Sequence, residues 1–86
     1  MRFLLAVMCV LPIQAFASAD CPVYPKEEWA DKEILRKTLI EEGYSIKKLH
    51  TSGNCYEIYG RNKAGKQVEI YFDVKTFAIV KAEVEK

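Results

Sequence analysis

Two glutamates and two tyrosines recur at a spacing of two in the stretch CYEIYGRNKAGKQVEIYFD, residues 55–73: Glu57 and Tyr59, then Glu69 and Tyr71. On extended backbone, residues two apart share a face. If the two segments pair, Glu57 and Glu69 lie on adjacent strands of one face, the minimum for general acid–base work. The same four residues, joined by Lys81, would equally make a partner-binding surface, because tyrosine offers large contact area with few rotors to freeze. In the plainest reading, cross-strand tyrosines and opposite charges only stabilise a wet sheet face. The acid–base reading lacks a pocket that would shift a pKa or exclude water. His50, the sole histidine, offers a single nitrogen ligand and has no serine or reduced cysteine with which to form a nucleophilic set. No CxxC spacing occurs. We therefore assign no catalytic residue, no metal site and no cofactor from the sequence.

The N-terminus sets the compartment. Arg2 precedes the apolar run Phe3–Leu11, Pro12 breaks it, and Ala17-Ser18-Ala19 follows. This is the pattern of a secretory signal peptide over residues 1–19, cleaved after Ala19. The run is too short for a stable membrane anchor, and Cys21 follows Asp20 rather than the small residue that lipidation needs. Removing Arg2 leaves basic and acidic residues equal in number, twelve of each. A nucleic-acid binder would need a basic stripe, so that class is excluded, and nothing favours an anionic membrane surface. Lys47-Lys48 reads as a solvated strand edge. The same cleavage removes Cys9 and leaves Cys21 and Cys55, which in a small exported domain reads as one disulfide.

Positioning these residues requires few elements. Residues 20–28 form an irregular lead with Pro22 and Pro25, expected to carry Cys21 toward Cys55 and to bring Val23 and Tyr24 onto the domain. Trp29 reads as a core plug. A helix capped by Asp31 is predicted from about Lys32 to Glu42, with a Leu35/Leu39 stripe flanked by Ile34 and Thr38, and Gly43 as its stop. Ile40 falls off that stripe, which implies a wide stripe or a contact with the lead. The first strand, from Tyr44 to Ser52, carries Ile46 and Leu49 at opposite parity, which implies a bulge or an early end. Tyr56 and Ile58, then Val68, Ile70 and Phe72, then Val80, Ala82 and Val84 make one apolar surface for the helix to cover. The other face would keep Glu57, Tyr59, Glu69, Tyr71, Lys81 and Glu83 in or near water. The fold class is α+β: one helix on a four-stranded antiparallel sheet in the order αββββ.

The order Trp29, a short helix, Gly43-Tyr44, Cys55-Tyr56-Glu57, Gly65-Lys66-Gln67-Val68-Glu69 and Asp73-x-x-Thr76 resembles a small secreted PepSY-like domain, here assigned to residues 29–86. The resemblance runs from about Cys21 to Val80. It implies the helix-on-sheet fold, a bacterial periplasmic or cell-envelope location, and an association with inhibiting or chaperoning peptidases. The family pattern Asp-Pro-x-Thr-Gly is here Asp73-Val74-Lys75-Thr76-Phe77, so the last turn is expected to be reshaped or Phe77 displaced. The functional expectation is a non-enzymatic binding module, with an envelope peptidase or other protein as partner, acting through the open sheet face. The alternative is a small-molecule or metal-sensing envelope protein. Oligomeric state is left undetermined, although an unpaired edge strand could support strand addition.

Overall fold

The computed structural model describes residues 18–85; the apolar run Phe3–Leu11 and Pro12 lie outside them. A single helix, α1 (Lys32–Glu41), precedes four strands, β1 (Ser45–Ser52), β2 (Cys55–Arg61), β3 (Gln67–Asp73) and β4 (Ile79–Val84). The strands pair antiparallel in chain order, β1-β2-β3-β4. This is the expected αββββ layer. The lead is less irregular than expected, because Lys26–Glu28 forms one 3-10 turn.

The helix is set at both ends by local chemistry. Asp31 caps it, with Oδ1 accepting from the Glu33 N–H at 2.9 Å. At the other end Gly43 takes φ 100°, its N–H donates to Ile40 O, and Tyr44 N–H donates to Leu39 O, both at 3.0 Å. That pair of bonds satisfies two end carbonyls and needs a residue without a Cβ at the left-handed position. The helix ends at Glu41, one residue before the expected end and within ordinary fraying. Ala30 locks the entry to the helix: its N–H donates to Val74 O at 2.8 Å, and its carbonyl accepts from the Tyr56 hydroxyl at 2.7 Å.

Leu35 and Leu39 bury against Tyr56, Ile58, Val68, Ile70, Phe72 and Val74. Ile34 and Ile40 are both more than half exposed, so the stripe is narrow and Ile40 does not meet the lead. Val23 is 76 % exposed, which corrects its expected place on the domain, whereas Tyr24 and Trp29 do pack against the core. Trp29 stacks edge-on against Tyr56 at 5.8 Å and donates from Nε1 to Tyr24 O at 3.0 Å.

The parity break in β1 is a bulge. Ile46 stands opposite Gly60 and Lys48 opposite Tyr59, so Lys47 is the extra residue. Ile46 and Leu49 both therefore reach the helix side. The bulge draws the two backbones so close that a Cβ on Gly60 would lie 2.1 Å from Ser45 O. A second irregularity, between Tyr71 and Phe72, leaves Val80 out of register in β4. The apolar side of β4 is not covered: Ile79, Ala82 and Val84 stay exposed. A helix about 10 Å across spans only about two strand spacings, so the expected cover of strands two to four falls short at the last of them.

The β3–β4 turn is anchored by Asp73, whose Oδ1 accepts from the Lys75 and Thr76 N–H groups at 2.8 and 3.0 Å and whose Oδ2 accepts from Tyr24 Oη at 2.9 Å. Burial raises the Asp73 carboxyl, but these bonds outweigh it and hold it below the usual aspartate range. Phe77 adopts φ 65°. The turn is therefore not reshaped: Phe77 keeps the left-handed backbone that the resembling pattern gives to glycine, while its ring packs toward Tyr56. The left-handed conformation costs about 1–2 kcal/mol for a residue with a Cβ. Phe77→Gly is accordingly expected to be more stable than Phe77→Ala by about 1 kcal/mol in urea unfolding, since both lose the ring and only the alanine keeps the strain. The opposite order would remove strain from the account of this turn. Replacing both Cys21 and Cys55 by serine should lower unfolding free energy by about 3–4 kcal/mol, given the 34-residue separation they close.

Candidate functional site

The sheet places the predicted residues in two rows on the face away from α1. Across the first row stand His50, Glu57, Tyr71 and Lys81, each opposite the next on the neighbouring strand. Across the second stand Lys48, Tyr59, Glu69 and Glu83. All five residues expected to bind a partner therefore share one face. His50 joins them, a neighbour that the sequence reading left apart. Its signal was the Ile46/Leu49 parity break, because a bulge at Lys47 also turns His50 to the face opposite Leu49.

The face is not uniformly wet. Glu57 is 3 % exposed and Tyr71 1 %, which corrects the expectation that both lie in or near water. The cause is the lead. Cys21 and Cys55 form the expected disulfide, with 5.5 Å between their Cα atoms, and the linked cysteines pack with Tyr71 and Ala19 in a second apolar cluster. Lys81 Nζ donates to Ser18 O at 3.1 Å at the same end of the face, a contact made by the segment expected to be cleaved rather than by the lead. Glu69 and Lys81 are half-buried, and Tyr59 alone of the expected five is exposed, at 39 %.

Glu57 sits at the centre of a hydrogen-bonded cluster. His50 Nε2 lies 2.8 Å from its Oε1, a bond that becomes an ion pair when the imidazole is protonated. Its Oε2 is buried with no ordinary donor among the described residues. Glu57 and Glu69 stand diagonally across from each other on β2 and β3. Tyr71 Oη donates to Glu69 Oε2 at 3.0 Å, completing the chain. Burial raises the Glu57 carboxyl, but hydrogen bonds with Glu69, His50, Tyr71 and Tyr59 outweigh it and hold it low. Glu69 goes the other way: its bond to Glu57, then burial, push it above the glutamate range. Burial and the adjacent carboxylates push the Tyr59 phenol up to about 12 and raise Tyr71 as well.

Two shallow grooves flank Tyr59. One, of about 290 Å³, carries Lys47 and Arg61; the other, of about 340 Å³, carries Glu69, Glu83 and Glu85. Tyr59 thus stands between a basic and an acidic depression, with His50 edge-on to its ring at 6.2 Å and Lys48 Nζ 6.0 Å from its centroid. Among the described residues no three His, Cys, Asp or Glu side chains are placed to hold a metal ion, and no helix is long and apolar enough to cross a membrane.

With this fold and face, the chain matches the peptidase propeptide and YPEB domain over residues 1–83. It belongs to that family, the PepSY domains. Comparison with curated proteins gives no match, and comparison with solved structures gives none. PepSY domains are in general propeptide- or inhibitor-like modules and are typical of extracellular and envelope proteins.

The opposite shifts of the two carboxyls have a definite linkage. Glu69, raised in the folded state, contributes stability that is complete below the ordinary glutamate range and is lost as pH rises through its raised value. Glu57, lowered, contributes above that range and loses its contribution as pH falls. Glu69→Gln keeps a donor beside Glu57 at every pH. It should therefore gain on the wild type as pH rises from mildly acidic to neutral, by about 1 kcal/mol in urea unfolding. Parallel pH profiles for the two proteins would exclude a raised Glu69 carboxyl.

Proposed function

We propose that the chain is an exported, non-enzymatic PepSY module that binds an envelope peptidase and restrains it, through the sheet face centred on Tyr59. The observation that supports this reading is the setting of Tyr59: an exposed aromatic on paired strands, beside Glu57, Glu69 and Tyr71 on the same face and flanked by one groove carrying Lys47 and Arg61 and another carrying Glu69, Glu83 and Glu85. Rigid aromatics in such settings anchor interfaces, and the mixed charge at their rim selects the partner and its register. Glu57 and Tyr71 support this surface rather than touch the partner, while Glu69 and Lys81 lie at its margin. The acid–base alternative is weaker, because Glu57 is 3 % exposed and the two grooves beside Tyr59, among the described residues, are shallow and do not enclose a substrate beside the two carboxyls. Family membership supports the inhibitor class.

Chemical crosslinking of the protein in its own cell envelope, followed by mass-spectrometric identification, tests the reading. The expected result is a peptidase whose turnover falls when the purified chain is added. Tyr59→Ala should weaken that complex by about thirtyfold, the size of an aromatic anchor lost from an interface. Wild-type affinity in Tyr59→Ala would exclude this face, and capture of no peptidase would exclude the inhibitor class.

A further inference from the structure

β4 ends the sheet, and no described residue pairs with its outer edge. Its bonding to β3 shows which backbone groups face outward. Glu85 N–H donates to Gln67 O at 3.0 Å, and Glu83 and Lys81 stand opposite Glu69 and Tyr71 at the same parity. In an antiparallel ladder, bonded and non-bonded pairs alternate. Lys81, Glu83 and Glu85 therefore turn their bonding groups toward β3, and Ala82 and Val84 turn theirs outward. The side chains facing the helix layer, Ile79, Ala82 and Val84, are the ones that α1 leaves exposed.

We propose that two copies of this chain pair antiparallel through β4, centred on Ala82, to form one continuous sheet. The charges choose this register. With Ala82 opposite Ala82 of the second copy, Lys81 stands opposite Glu83 of that copy, and Glu83 opposite its Lys81, so both pairs are of unlike sign. Sliding by one bonding step puts Ala82 opposite Val84 and sets Glu83 against Glu83 at the two-fold axis. A further step, with Val84 opposite Val84, sets Glu83 against Glu85. Both alternatives place carboxylates face to face. Within one chain Lys81 and Glu83 already approach to 3.7 Å, so pairing extends that contact into a ring of four alternating charges. The same two-fold joins the exposed Ile79, Ala82 and Val84 of both copies into one apolar strip beside α1.

The other edge does not offer this. Between Ser45 and Ser52, β1 carries Lys47, Lys48 and His50 and no acidic residue, and its bulge interrupts the ladder. Two β1 edges would set like charges together. Joining β1 of one copy to β4 of the next would leave an edge open at each end and would not close. Pairing through β4 is isologous and closes at two. It shares Lys81 and Glu83 with the margin of the face proposed for Tyr59, but is argued from the charge pattern of β4 rather than from that partner.

Sedimentation velocity of the purified, disulfide-bonded chain from micromolar to millimolar concentration tests the proposal. The expected result is a monomer–dimer equilibrium with nothing larger. Lys81→Glu and Glu83→Lys should each weaken dimerisation by about tenfold or more, since each turns two attractive pairs repulsive. The double exchange should return the dissociation constant to within about threefold of wild type. Circular dichroism checks that each protein is folded; should one single variant unfold, the other and the double exchange still decide. A chain that stays monomeric at millimolar concentration overturns the proposal. So does mass that keeps growing with concentration, or a folded double exchange that remains as weak as the single variants.

Discussion

The disulfide between Cys21 and Cys55 is the constraint on which the rest of this small domain depends. One ten-residue helix can cover only part of one face of a four-stranded sheet. The lead, tied down at Cys21, covers part of the other. Tyr71 and Cys55 become a second apolar cluster, and Glu57, two residues from Cys55 on the same face, is enclosed beside them. A carboxyl in that position would be costly if its oxygens lacked partners. His50 meets one of them, Oε1, at 2.8 Å. The polar cluster is thus a consequence of closing the second face as much as a feature of the face itself.

Two one-residue irregularities decide what that face presents. The bulge at Lys47 lets β1 give both Ile46 and Leu49 to the core while setting His50 beside Glu57. Gly60 is what allows the bulged backbone to come so near. The irregularity at Val80 shifts β4 after Lys81, so that Lys81 still faces Tyr71 while Ile79 faces Phe72. Both are local changes in spacing, yet each changes which face later side chains of its own strand occupy, because strand faces alternate with a period of two.

In functional terms the domain separates support from display. Glu57, Tyr71 and the disulfide are buried and hold the surface; Tyr59 is displayed between depressions of opposite charge. That division suits an inhibitor-like module, which works by complementarity and rigidity rather than by chemistry on a substrate. The β4 edge, apolar on one side and charge-alternating on the other, adjoins this display through Lys81 and Glu83.

Much of the fold was legible in the sequence because it follows from local rules. Asp31 and Gly43 delimit the helix by capping chemistry, the alternation from Cys55 to Asp73 gives the hairpin, and the two cysteines outside the expected signal peptide give the disulfide. The parity break between Ile46 and Leu49 announced the bulge. The gathering of Glu57, Tyr59, Glu69, Tyr71 and Lys81 on one face was also legible, since periodicity assigns faces. Exposure was not. Whether a strand face meets water depends on what the rest of the chain lays across it, and no spacing in β2 or β3 records that the lead passes over Tyr71. Nor could spacing show that Phe77 would accept a left-handed backbone, because that strain is tolerated only where packing against Tyr56 and the Asp73 bonds hold the turn in place. Periodicity and capping determined the elements and their faces; burial, and with it the protonation of the carboxyl pair, was decided by contacts between residues far apart in the chain.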